Sequence, residues 1–511
     1  MDKGILNRIQ ISTKVRIILL FSFFSLSVLF FCSKSSPLFR LNDWPDVNSY
    51  FTMGKGLFSG KVIYKDIFDH KGPLLYLLYG IGYLISHRSF LGVYFIQSVS
   101  LFVVLFYNFK TANLFLEKRH AFLVAAIMPV FIFNYPIYIS GGGSPEEFIM
   151  AFQAVSMFYF LQYLKNTDIK EHNPKVMFIH GIMAGCVLML KYTALSFWIG
   201  FGIFVFVPLL IKGLYKNFFK NLLALFAGVA VVVVPWLLYF IITAGIKDFY
   251  NVYFKFNSLY AELHFSLGAI KTFIRVLVKV NLNNFGCFLL FAVGMAYFVL
   301  KKGLVGIPGK LGLICSFGLT FFVIYFSGIS FSYYYLPVTV FAVTGLVALC
   351  CLFLKQNIHK WVLIGFMCAA FLLTLKSNSL YKQSRLYIHT PMLQEKFTEI
   401  MKKDPNPTVL NLLTQDNGFS ILTDSVPNTK YFYVPIINYS KYPQIVDTQY
   451  SYVKDKTVEY VVMRTSLTQP GTIPDYQKPI YDELNKNYTL VSSGEQYCIF
   501  DDFRYDLYKV K

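Results

Sequence analysis

Roughly eleven nearly uninterrupted apolar runs of about 15 to 22 residues divide this chain, beginning near Ile17, Phe90, Ala121, Phe148, Val176, Leu195, Leu222, Leu282, Leu311, Tyr335 and Trp361. A helix needs ~20 apolar residues to cross ~30 Å of hydrocarbon, and only helices and closed barrels satisfy their backbone groups there. Runs of this length predict an α-helical polytopic membrane protein with about 11 transmembrane helices. Composition agrees: 56% of the 511 residues are hydrophobic and 14% charged, where soluble domains carry roughly a quarter charged.

Lysine and arginine in short loops stay on the cytoplasmic side, and here they alternate. One set of connections holds Lys3, Arg8, Lys14 and Arg16, then Lys110, Lys118 and Arg119, then Lys165, Lys170 and Lys175; it continues through Lys212, Lys216 and Lys220, Lys301, Lys302 and Lys310, and Lys355 and Lys360. The opposite short connections, 140–147 and 327–334, hold neither residue type. The N-terminus is therefore expected inside, and an odd number of spans puts everything after Lys376 outside. No small-residue cleavage site follows Phe31, so the first run reads as an uncleaved anchor. Topology accounts for most of the net charge of +20, and no nucleic-acid partner is expected. Seven of the eight cysteines lie in or beside apolar runs, leaving Cys498 alone in the outer C-terminal region without an internal disulfide partner.

Three outer regions are long enough for chemistry: 33–88, 243–281 and 377–511. The cytoplasmic connections, about ten residues each, cannot form a domain. The expected division is a transmembrane catalytic domain over 1–376 and a small extracytoplasmic α/β domain over 377–511. In the first outer loop, Val47, Tyr50, Phe51, Gly54 and Leu57 fall at helical spacing after Pro45, predicting an interfacial helix. The apolar run 73–85 is too short to span and suits a re-entrant or surface-lying helix. Lys271, Arg275 and Lys279 align on one face of a further helix. Beyond Lys376, strand-like runs at 408–413, 431–435, 458–463 and 488–492 alternate with turns, with helices over 392–403 and 476–486.

The stretch from Leu41 to Pro73 gathers carboxylates, a histidine and lysines where a membrane helix ends, a placement hard to explain as packing. It reads as an active site at the outer face. Two readings stand for Asp46: a general base kept ionised by a helix N-terminus, or part of a capping box with Asp43. Asp69, His70 and Lys71 just before Pro73 read either as a phosphate-holding group or as solvated loop charge; a divalent cation on Asp66, Asp69 and His70 is a weaker possibility, and metal dependence stays open. Ser144-Pro-Glu-Glu147 forms a capping box, or else Glu146 and Glu147 support acceptor or metal binding. Lys191, Lys271 and Arg275 either snorkel or receive lipid phosphate.

In order along the chain, Asp46, Tyr50, Gly60, Tyr64, Asp69-His-Lys-Gly-Pro-Leu74, 142–147, Lys191 and Tyr334-Tyr-Leu-Pro337 resemble the GT-C superfamily of membrane glycosyltransferases, above all the bacterial relatives of protein O-mannosyltransferases and the lipid A aminoarabinose transferases. The resemblance implies an inverting transferase in the bacterial cytoplasmic membrane. It takes a sugar from a polyprenyl-phosphate carrier and passes it to an envelope glycan, lipid or protein. It implies Asp46 as base, Lys71 at the carrier phosphate, and Glu146 or Glu147 as the second outer-loop acid. Where the family often has a histidine before Tyr-Leu-Pro, this chain has Ser332 and Tyr333, which puts a metal ligand there in doubt. The short cytoplasmic loops carry no nucleotide-binding fingerprint, so an activated group has to arrive in the lipid. The competing classes are a flippase or scramblase of lipid-linked sugars, which needs ionisable groups at mid-membrane or broken helices, and a non-enzymatic glycan-binding protein.

Overall fold

The computed structural model describes residues 13–165, 171–260, 266–354, 358–382, 392–467, 474–497 and 502–511; Lys3, Arg8, Lys170, Lys355 and Cys498 lie outside them. Every one of the apolar runs is helical. After α1 (Thr13–Cys32), the first loop folds into α2 (Pro45–Phe58) and α3 (Pro73–Ile85), within a residue of the expected bounds. Then come α4 (Leu91–Ala112), α5 (Lys118–Ile132), the single turn α6 (Tyr135–Tyr138) and α7 (Pro145–Leu164). Next are α8 (Pro174–Lys191), α9 (Ser196–Ile211) and α10 (Tyr215–Ile242). Short α11 (Ile246–Phe249) and α12 (Asn257–Tyr260) flank a π-helical segment, Tyr250–Phe256. The helical region closes with α13 (Leu267–Asn283), α14 (Phe285–Leu300), α15 (Ile307–Tyr325), α16 (Leu336–Thr339), α17 (Ala342–Phe353) and α18 (Lys360–Asn378).

Among the described residues, six helical stretches are long and apolar enough to cross a membrane, or up to eight if two bent pairs each count once. The expected eleven is thus not recovered as a count of full-length spans, for local reasons. α5 has only 15 residues, and α7 carries Glu146, Glu147 and Gln153. Pro174–Ile211 is one apolar helical run of 38 residues, about 57 Å if straight, but it doubles back. His172 N donates to Asn217 Oδ1 at 2.9 Å, while the rings of Phe206 and Phe218 lie 5.4 Å apart. The start of α8 and the end of α9 therefore share one end of the bundle, and the chain reverses at the 3-10 turn Tyr192–Leu195.

α2 and α3 lie against each other because both are notched: a Cβ on Gly54 would sit 2.5 Å from Gly80 N. Ile81, Leu84 and Ile85 keep an exposed apolar face on α3, as suits a helix lying at an interface.

The C-terminal region is a four-stranded mixed sheet with helices on both faces. β1 (Val409–Asn411) pairs in parallel with β2 (Tyr460–Ser466), and β4 (Asp502–Val510) lies antiparallel between β2 and β3 (Tyr488–Tyr497), giving the order β1-β2-β4-β3. Alternation along β2 divides the core: Val461 and Met463 face α21 (Gln444–Lys454) and α22 (Lys478–Asn487), whereas Tyr460 and Val462 face α19 (Leu393–Met401) and α20 (Phe419–Leu422). The expected strand at 431–435 does not form. Tyr431, Phe432 and Tyr433 instead enter the large core of the helical region, and this segment's backbone bonds scatter: Asn411 N donates to Phe432 O, Val434 N to Thr414 O and Phe68 N to Lys430 O. Thr52 Oγ1 donating to Asp416 at 2.8 Å and Lys55 Nζ to Asp424 at 2.6 Å tie α2 to the same region.

Candidate active site

Pro45 occupies the first turn of α2, where its missing N–H costs nothing, and so places Asp46 at the helix N-terminus. The capping reading of Asp43 is corrected here. The cap residue is Trp44, without a side-chain cap bond, and Asp43 instead pairs with Lys34 at 2.6 Å. Asp46 faces a cleft of about 170 Å³ whose wall also holds Asp69, His70, Lys71, Tyr333 and Tyr433. The first loop, the turn before α16 and the C-terminal region all meet there.

Withdrawal from water pushes the Asp46 carboxyl above the usual carboxylate range. The Lys71 charge opposes this, Asp69 and Glu146 add to it, and the Tyr333 hydroxyl, donating to Oδ2 at 3.3 Å, opposes it. A raised carboxylate is a stronger proton acceptor than a solvated one. Tyr333 thus stands, as a hydrogen-bond donor, where the resembled family often has a histidine.

Lys71 is aimed by a chain of contacts. Tyr433 donates to Asp69 Oδ1 at 2.7 Å, as does the His70 backbone N–H. His70 Nδ1 lies 3.3 Å from the same oxygen, and Lys71 Nζ reaches His70 Nε2 at 2.8 Å. Burial acts upward on Asp69, but His70, Lys71 and Tyr433 outweigh it and hold the carboxyl below its usual range. Burial, then Lys71, push His70 down against the pull of Asp69. A neutral His70 that accepts from Lys71 at Nε2 carries its proton on Nδ1, toward Asp69. The loop backbone is pinned as well, with Tyr64 donating to Lys71 O at 2.5 Å and Asn257 to His70 O at 2.7 Å.

The remaining expected site residues divide. Lys191 borders the cleft through Tyr334: its Nζ lies 3.6 Å from that ring's centroid and 2.6 Å from Glu146 Oε1. Glu147 turns away from the cleft, accepting from Gly143 N at 2.7 Å and Gln97 Nε2 at 3.0 Å. It braces a turn in which Gly141, Gly142 and Gly143 all have φ near +90°, a conformation that only glycine adopts without strain. The expected capping box does not form: Ser144 is the N-cap, but its side chain makes no cap bond, and Glu147 accepts from Gly143 N rather than from Ser144 N. Lys271 and Arg275 are exposed on α13 and take no part in lining the cleft. Asp66 caps its own turn, accepting from Val62 N at 2.8 Å, and among the described residues no three His, Cys, Asp or Glu side chains are grouped to hold a metal ion. Sequence reasoning missed Tyr433 and Asp416, which hydrogen-bond Asp69 and Thr52 364 residues away, and Gln415, which lines the cleft beside the first loop.

Residues 70–240 match the family model for dolichyl-phosphate-mannose-protein mannosyltransferase, a segment containing His70, Lys71, Glu146 and Lys191 but not Asp46. The chain superposes on ArnT from Cupriavidus metallidurans bound to undecaprenyl phosphate, with TM-score 0.58, 14% identity, and 96% of this chain and 97% of that one covered. The fold is that of the GT-C membrane glycosyltransferases. The GT-C likeness extends to the Archaeoglobus fulgidus oligosaccharyltransferase tethered with an acceptor peptide, with TM-score 0.51, 13% identity, and 96% of this chain and 73% of that one covered. No curated protein matches by sequence. At these identities the GT-C likeness is one of fold, and the chemistry has to be argued from this chain's own cleft.

Proposed function

We propose that this multi-pass membrane protein is an inverting glycosyltransferase, moving a sugar from a polyprenyl-phosphate carrier to a cell-envelope glycan, lipid or protein. In this reading residues 1–376 form the catalytic membrane part, and residues 377–511 lie on the outer face of a bacterial cytoplasmic membrane, with the N-terminus inside. The observation that carries the proposal is the pairing, in one cleft, of a raised carboxylate on Asp46 with the ordered ammonium of Lys71. Asp46 takes the proton of an acceptor hydroxyl as its oxygen bonds to the anomeric carbon. The bond from that carbon to the carrier phosphate breaks, and its electron pair leaves on the phosphate, whose charge Lys71 stabilises. One displacement inverts the anomeric centre. The undecaprenyl phosphate held by the ArnT relative supports a lipid-phosphate donor.

The test is transfer by the purified protein from a panel of polyprenyl-phosphate sugars into membrane glycan extract, with the product's anomeric configuration read by NMR. Inversion is expected. Retention, or lipid binding with no transfer from any donor, contradicts the proposal.

A further inference from the structure

Beside the cleft of Asp46 lies a second, larger one of about 430 Å³. Its size is in the range of small-molecule sites, ~300–1,000 Å³. Trp44, Pro45, Ser140 and Gln415 line both clefts, so the two adjoin. The far wall comes from the C-terminal sheet: Arg464 on β2, and Phe503 and Tyr505 on β4. The cross-strand register pairs Arg464 with Tyr505 and Ser466 with Phe503, which sets the guanidinium beside two rings.

Charge in this cleft is unbalanced. Lys34 and Asp43 answer each other at 2.6 Å. Arg464 is different: its contacts are a hydrogen bond to Gln415 Oε1 at 3.4 Å and the Phe503 ring, 4.4 Å from the guanidinium carbon to the centroid. Among the described residues no carboxylate pairs with it. The Phe503 face holds a planar cation in place while leaving its N–H edge able to fork onto two oxygens. Trp44 adds an apolar face of the kind that packs against sugar rings.

We propose that this cleft is the acceptor subsite and that Arg464 selects an acceptor bearing an acidic group, carboxylate or phosphate, next to the reacting hydroxyl. The assignment to the acceptor rests on the transferase reading above; the anion preference of the cleft does not. Tyr433, Gln415 and Arg464 then give the C-terminal region a direct share in choosing the substrate.

The experiment is calorimetric titration of the full-length protein with maltotriose, with the same trisaccharide carrying one phosphate, and with trigalacturonic acid. Wild type is expected to bind at least one acidic sugar roughly tenfold or more tighter than maltotriose, the scale of one charge-assisted hydrogen bond. Comparing the phosphate and carboxylate arms identifies the preferred acid. Arg464→Gln is expected to erase the preference and Arg464→Lys to keep part of it, with thermal unfolding confirming that both variants fold. Equal binding of all three sugars, binding of none, or a preference surviving in Arg464→Gln overturns the proposal. Asp46→Asn is expected to retain the preference. If acid preference holds but wild type releases no carrier from any donor, the transferase reading falls and the anion site stands.

Discussion

Tyr433 donates its hydroxyl proton to Asp69 across 2.7 Å, joining residues 364 positions apart. The contact places the C-terminal region inside the machinery that orders Lys71, rather than beside it. Asp69 is 1% exposed, and among the described residues its other oxygen, Oδ2, has no hydrogen-bond partner. Tyr433→Phe therefore weakens the support of a buried carboxylate, at a cost of about 1–3 kcal/mol. Weaker binding of polyprenyl phosphate, by roughly tenfold, is expected in a direct binding assay. Unchanged affinity would mean that Asp69 and His70 do not order the lysine.

Tyr333 tests the tuning of Asp46. Its hydrogen bond lowers the carboxyl's proton affinity, against the upward push of burial. With Asp46 as the proposed base, activity requires its ionised form, so the rate is expected to rise with pH through the folded pKa, on a limb lying above the ordinary carboxylate value. Tyr333→Phe removes a lowering influence and is expected to move that limb to higher pH. A full pH–rate profile of both proteins checks the direction.

Asp416 has the opposite consequence for stability. It is fully buried, and burial, partly offset by hydrogen bonds from Gly418 N, Thr52 and Asn411, pushes its carboxyl up to about 6 from 3.8. The folded state thus binds the proton more tightly than the unfolded state. Its favourable contribution is fully present below about pH 4 and is lost as pH rises through about 6. The change is about 3 kcal/mol. Asp416→Asn is expected to flatten stability against pH between these values, as measured by thermal unfolding in detergent.

Lys191 and Glu146 are expected to be coupled. Glu146 is 3% exposed and pairs with Lys191 at 2.6 Å. Lys191→Met leaves a buried carboxylate without its cation, at about 3–5 kcal/mol. The double variant Lys191→Met, Glu146→Gln is expected to be more stable than Lys191→Met alone, and a double-mutant cycle reads the coupling.

What the sequence made legible follows from how local each signal is. The helices α2 and α3 could be read from spacing and from Pro45 and Pro73, because first-turn proline and apolar periodicity are local. Asp46 and Lys71 could be singled out for the same reason, since they stand beside those prolines in a loop otherwise costly to keep charged, and the fold brings them to one cleft. The cation stripe of Lys271 and Arg275 was also local and correctly helical, but its direction depends on how α13 packs, which periodicity does not encode. The 431–435 segment reads as a strand by β-propensity, yet its aromatic rings fill a core supplied by helices hundreds of residues earlier. Tyr433 and Gln415 were hidden by that same distance.

The most direct measurement is release of polyprenyl phosphate from its sugar-loaded form, with membrane glycan extract as acceptor, by wild type and by Asp46→Asn. The variant keeps the side-chain volume and removes the proton acceptor. Release by wild type and a fall of roughly a hundredfold or more in the variant, the scale of losing a general base, is the expected result. Equal release by both folded proteins would contradict the assignment of Asp46 as the base.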